Sequence, residues 1–84
     1  MPRFTKTTRG VDDCQVVWLH NEKPHWIVHY EESKHPTMTR PAFYEAFRAI
    51  HPVPSGRKPW SIDNKRFSDG NGFRTLRQAM QAAA

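Results

Sequence analysis

The sequence predicts a small α+β domain in which one small antiparallel sheet is covered by two helices, in the order β-β-α-β(β)-α. Two runs rich in β-branched and aromatic residues are separated by turn-forming residues, which indicates strands. Two later stretches repeat apolar residues at helical spacing. The length of 84 residues suits a single domain, and an apolar content of 37% is enough for one core.

The chain is predicted to begin with an arm. Residues 1–12 are polar, with Arg3, Lys6 and Arg9 set among threonines, and we expect either a flexible arm or an edge strand there. Residues 13–84 form the predicted single α+β domain.

A β-hairpin is predicted after the arm. Its strands are the runs 14–19 and 25–30, which are separated by polar turn residues. Because side chains alternate along a strand, Trp26, Val28 and Tyr30 share one face, which we assign to the core. The other face of this strand carries His25, Ile27 and His29.

A first helix is predicted after a polar loop at 31–39. Thr39 offers an N-cap hydroxyl, and a proline such as Pro41 is tolerated in the first turn of a helix. The helix is expected to end before Pro52. Spacings of i, i+4 and i+7 give it one apolar stripe, which we expect to be buried against the hairpin and which consists of Phe43, Phe47 and Ile50.

The following segment is predicted to be a basic loop and then β-structure. Prolines stiffen residues 52–59, while 60–63 and 65–67 read as one interrupted strand or a second short hairpin. A turn is expected at 69–72, because both of its glycines can take a positive φ.

The C-terminal stretch predicts a second helix. Thr75 and Gln78 have the spacing of a capping box, in which a threonine is followed three residues later by glutamine. One apolar stripe follows the cap and consists of Leu76, Ala79, Met80 and Ala83.

Positive charge is concentrated in the second half of the chain. Six of the thirteen Lys and Arg residues lie within residues 55–77, which contain only two acids. Cations attract phosphates, and aromatic rings between them can stack on bases. We therefore expect a nucleic-acid-binding site with little sequence specificity, formed by Arg57, Lys58, Trp60, Lys65, Arg66, Arg74 and Arg77.

The sequence does not indicate catalysis or a metal site. Cys14 is the only cysteine and begins an apolar run, which is typical of a small buried hydrophobe. On a strand, His25 and His29 would be separated by roughly 13 Å, too far to share one ion. A cross-strand pair such as His20 with His25 stays open near the turn. We expect a non-enzymatic protein with no catalytic residue, cofactor or metal.

Two kinds of partner follow from these features. The first is DNA or RNA. The alternative is a larger nucleic-acid-handling protein machine, on which a small protein of the phage or mobile-element type would dock as an inhibitor or adaptor. Trp18, Trp26 or Trp60 would then be either anchors or core residues. A homodimer formed through a hairpin edge is a further alternative, and the absence of a signal-peptide pattern or membrane-spanning run predicts a cytoplasmic protein without a membrane partner.

Overall fold

Antiparallel β-structure dominates the computed structural model, which describes residues 3–7, 16–68 and 72–84. The strands are β1 (Phe4–Thr7), β2 (Val17–His20), β3 (His25–Tyr30), β4 (Ser33–His35), β5 (Met38–Arg40), β6 (Phe43–Ala49) and β7 (Asn64–Arg66). A 3₁₀ helix spans Pro59–Ser61, and the α-helix α1 spans Leu76–Ala82.

Five strands form the main sheet, in the order β1-β2-β3-β6-β7, and every neighbouring pair is antiparallel. The predicted hairpin is confirmed, since β2 pairs with β3 and Trp18 lies opposite Ile27. On its other side, Ile27 lies opposite Ala46 of β6. The central strand β3 therefore has a partner along both edges.

Each face of the sheet contributes to its own part of the core. On the face covered by α1, buried Ile27 and Ala46 pack with buried Ala79 of the helix and with buried Ala83, its C-cap. The opposite face, which we call the aromatic face, contains buried Val17, Trp26 and Val28 and the partly buried side chains Leu19, Tyr30, Phe47 and Trp60. The core assignment of Trp26 and Val28 is confirmed. Ile27, which we placed on the other face, is fully buried as well.

The predicted two-helix architecture is wrong, because the stretch that carries the first apolar stripe is strand β6. A spacing of four residues places side chains on one face of a helix and also on one face of a strand, so Phe43 and Phe47 fit both structures. Pairing with β3 and β7 decides in favour of the strand. The stripe is not buried as expected, since Phe43 and Phe47 are only partly buried and Ile50 is 47% exposed.

One loop prediction and one strand prediction are also wrong. The polar stretch 31–39 contains the hairpin β4–β5, in which His35 lies opposite Met38, so Thr39 lies in a strand and does not cap a helix. Instead of a strand, a 3₁₀ helix with proline at its start occupies Pro59–Ser61, and only Asn64–Arg66 pair as β7. Proline has no N–H to donate to a β-ladder, which favours the helical turn.

The C-terminal helix is confirmed, together with its cap. The Thr75 hydroxyl accepts a hydrogen bond from the Gln78 N–H at 3.2 Å, and the Gln78 side chain accepts one from the Arg74 N–H. Buried Ala79 and Ala83 face the sheet, with Leu76 and Met80 packed partly buried beside them. Cys14 and most of the predicted turn at 69–72 lie outside the described residues.

Candidate functional site

We call residues 57–66 the basic segment. A proline-rich loop connects the end of β6 to this segment, which ends in strand β7. Gly56 turns the chain with a φ of 82°, and the Arg57 N–H donates to the Pro54 carbonyl at 3.0 Å. The Ser61 N–H donates to the Lys58 carbonyl at 3.0 Å, and the Ser61 hydroxyl donates to the same oxygen at 2.6 Å. These local bonds give the loop a defined path.

One side chain, Asn64, connects the basic segment to the sheet. Its Oδ1 accepts a hydrogen bond from the Trp26 indole N–H at 2.9 Å. Its Nδ2 donates to the carbonyls of Pro59 at 3.0 Å and Ile62 at 2.7 Å. Asn64 therefore holds the 3₁₀ helix, the start of β7 and the centre of the aromatic face together. Sequence reasoning did not single out this residue.

Four predicted cations of the basic segment are exposed. Two of them, Lys65 and Arg66, alternate along β7, so they point to opposite faces of the sheet. Among the described residues, Arg66 is the one member of this group with an ion pair, at 3.6 Å between its Nε and Glu45 Oε2. The other members have no carboxylate partner there and are Arg57, Lys58 and Lys65.

Glu45 is a buried acid that sequence reasoning did not identify as part of the site. It is 3% exposed, and its carboxylate accepts a hydrogen bond from the Ser68 hydroxyl at 2.6 Å in addition to the Arg66 contact. Because a buried charge is stable only when it is paired and hydrogen-bonded, Arg66 has a structural role besides its exposed position.

Aromatic rings on the aromatic face form two stacks. In the first, Trp26 stacks on Phe47 with centroids 4.5 Å apart and planes at 19°, and Trp60 meets Trp26 edge-on at 5.6 Å. In the second, Tyr30 stacks on Phe43 at 4.9 Å and 20°.

A guanidinium group lies over each stack. The Arg40 Cζ lies 4.2 Å from the Phe43 ring centroid, and the Arg66 Cζ lies 5.9 Å from the Phe47 centroid. Both distances are within cation–π range. The aromatic face therefore combines partly exposed rings with cations.

The remaining predicted site residues, Arg74 and Arg77, lie elsewhere. They accompany α1, which covers the face opposite Trp60. Arg77 borders an open groove of about 680 Å³ between α1 and β1. That groove is lined by Arg3, Phe4, Leu76, Met80, Gln81 and Ala84. The predicted residues therefore do not share one face, since Arg66 lies with Trp60 on the aromatic face while Lys65 points to the side that α1 covers.

A second groove, of about 460 Å³, lies where the β2–β3 turn meets the loop before the basic segment. The Ala49 N–H donates to the Pro24 carbonyl at 2.9 Å and links the β2–β3 turn to the end of β6, where that loop begins. Cations line this groove and are Lys23, Arg57 and Lys58. The histidines His20 and His25 line it as well.

The ring centroids of these two histidines lie 5.6 Å apart, so His20 and His25 are neighbours across the β2–β3 hairpin. His20 Nδ1 accepts hydrogen bonds from the Glu22 and Lys23 N–H groups, both at 3.0 Å, which places the proton of the neutral ring on Nε2. Burial, and then the nearby His25 and Lys23, lower the pKa of His20 below 6.5. His25 Nδ1 contacts the Ala83 carbonyl at 2.7 Å, so this nitrogen is the donor.

The described part of the chain contains neither a metal-binding cluster nor a membrane-spanning helix. In residues 3–7, 16–68 and 72–84, no group of three or more His, Cys, Asp or Glu side chains is arranged to hold a metal ion. The same residues form no helix with the length and apolar character needed to cross a lipid bilayer.

No protein-family model matches the chain, and no curated protein or solved structure matches it significantly. The basic segment and the aromatic face are therefore the features from which a function can be inferred.

Proposed function

We propose that the protein binds nucleic acid through phosphate contacts made by the basic segment, with little sequence specificity and no catalytic step. The observation that supports this most is that Asn64 ties the segment to the sheet while its four cations stay exposed. A fixed backbone limits the conformational entropy that binding removes. Cytoplasmic residence belongs to the same proposal.

Charge favours a polyanionic partner. The chain has a formal net charge of +5, and three cations of the segment have no carboxylate partner among the described residues. Phosphate contacts position a protein on nucleic acid but do not read its bases. The helix α1 has only seven residues and packs against the sheet, so it is not suited to reading the major groove.

Charge reversal tests this proposal. The first variant changes Arg57, Lys58 and Lys65 to Glu and leaves Arg66 in place, because Arg66 pairs with a buried carboxylate. The matched control changes the exposed residues Arg3, Lys6 and Arg77 to Glu. Each triple variant shifts the net charge by six, from +5 to −1. A difference between them therefore reports position and not total charge.

We expect wild-type binding in the micromolar range at about 50 mM salt and a steep loss of affinity towards about 200 mM. The basic-segment variant should stay folded, since exposed charges contribute little to stability, and should lose binding. The control should retain most of it. Equal loss in both variants would mean that Arg77 and its neighbours belong to the site, and an unaffected basic-segment variant would refute the proposal.

Docking on a protein is a second candidate function, favoured by the groove between α1 and β1. Arg3 and Arg77 border its apolar lining, which suits a partner segment with an apolar side chain and nearby carboxylates. Of the tryptophans considered as anchors, Trp26 is only 5% exposed and belongs to the core. A partner retained after nuclease treatment by the wild type and lost with Met80→Glu would support this function.

A further inference from the structure

We propose that the nucleic acid is single-stranded and that its unpaired bases stack on the aromatic face. This inference rests on the proposed function, and it adds the class of nucleic acid and the residues that would contact the bases. It depends on the rings and guanidinium groups of the aromatic face.

The rings lie where a bound strand could reach them. Trp60 belongs to the basic segment itself, two residues after Lys58, and is only partly buried. Its indole meets Trp26, which stacks on the partly exposed Phe47. A strand whose phosphates contact the basic segment would therefore have its bases beside aromatic rings.

A second contact point follows along β6. Phe43 and Phe47 are four residues apart on the same face, which corresponds to roughly 13 Å of strand. Phe43 stacks on Tyr30 and lies beneath the Arg40 guanidinium. The two stacks thus form an extended surface, which suits a chain of several bases better than one small ligand.

The guanidinium groups fit the same ligand. A guanidinium plane can stack on a base in the way that an aromatic ring does, while its N–H groups bind phosphate. Arg40 and Arg66 each combine an exposed position with a nearby ring. Glu45 lies on this face between the stacks, but it is buried and paired with Arg66 and so adds little repulsion.

A duplex would use this surface poorly. Its bases are paired and stacked on one another, so only the backbone and the groove edges reach a protein surface. Partly exposed rings on a sheet face instead give stacking partners to unpaired bases of any sequence. The proposed ligand therefore keeps the low sequence specificity of the phosphate contacts.

The test compares one labelled oligonucleotide of about 12 nucleotides, within the usual site size, as a single strand and as a duplex. Fluorescence anisotropy at low salt measures both affinities for the wild type and for Trp60→Leu, which removes the ring but keeps an apolar side chain. Phe43→Leu tests the second stack. Trp18→Leu is the matched control, because Trp18 packs on the face covered by α1.

We expect tighter binding of the single strand and a loss of about 5- to 150-fold for Trp60→Leu, the range measured for one stacked base. Duplex binding should change little in either stack variant. If Trp60→Leu fails to fold, base stacking is tested by the affinity of Phe43→Leu and by quenching of wild-type tryptophan emission on addition of the single strand.

Other results would separate the two proposals. Duplex affinity equal to or above that of the single strand would overturn this inference and leave the proposed function in place. Unchanged single-strand binding in both stack variants would overturn it as well. Absence of binding to either form would refute the proposed function itself.

Discussion

Removal of the Asn64 side chain should loosen the basic segment and lower the stability of the whole protein. Asn64→Ala deletes three hydrogen bonds, to Trp26, Pro59 and Ile62. A typical protein hydrogen bond contributes about 0.5–1.5 kcal/mol net, and a buried donor left without a partner costs more. Since Asn64 is half-buried, water can replace part of what is lost, and we expect a decrease of about 2–4 kcal/mol.

Urea denaturation followed by tryptophan fluorescence measures this loss as a drop in the midpoint at an unchanged slope. The neighbouring Asp63→Ala is the control, because the Asp63 side chain is 81% exposed and its ion pair with His51 is 4.0 Å long. The free energy of unfolding of Asp63→Ala should lie within about 0.5 kcal/mol of that of the wild type. Trypsin should also cut faster after Arg57 in Asn64→Ala. A variant with the stability and cleavage rate of the wild type would refute the role given to Asn64.

Two further predictions concern stability. Gly72→Ala should destabilise the protein by at least about 2 kcal/mol, because φ is 70° and an added Cβ would lie 2.6 Å from the Tyr44 carbonyl oxygen. Gly56→Ala has a φ of 82° but no atom within 4 Å of the added Cβ, so it should cost only the backbone strain of about 1–2 kcal/mol. Thermal melts of the two variants measure both losses, and equal losses of stability would contradict the prediction. Because the folded state lowers the pKa of His20, the unfolded state binds the proton first, so stability should fall as the pH drops from 6.5 through the folded pKa. Urea melts across this range should show a smaller slope for His20→Gln, and a wild type that gains stability towards acid would disprove the assignment.

The elements that the sequence predicted correctly have local signals. The β2–β3 hairpin has two β-rich runs and a polar turn, and α1 has its Thr75 cap and an apolar stripe. Strand β6 has no such local signal, because its aromatic spacing of four residues fits a helix as well as a strand. Its structure depends on pairing with β3, which lies more than ten residues earlier. The β4–β5 hairpin was missed because its polar sequence and Pro36 are also typical of a loop.

Local sequence also predicts only part of the candidate site. Exposure of Arg57, Lys58 and Lys65 could be anticipated, because long charged side chains are rarely buried. The role of Asn64 could not be anticipated, since its bond to Trp26 joins residues 38 positions apart. Glu45 likewise depends on Ser68, which is 23 positions away. Hydrogen-bond partners so far apart in the sequence can be identified only when the strand order is known.

The β4–β5 hairpin offers a place to lengthen the chain. Tyr30 and Phe43 lie opposite each other in the main sheet, so the whole excursion between them starts and ends at one point of the ladder. A fluorescent or affinity tag inserted at its turn, between His35 and Met38, would extend an already closed loop. Doubling the length of such a loop costs only about 0.6 kcal/mol of closure entropy. The protein therefore contains an internal attachment point whose use leaves the pairing of β3 with β6 unchanged.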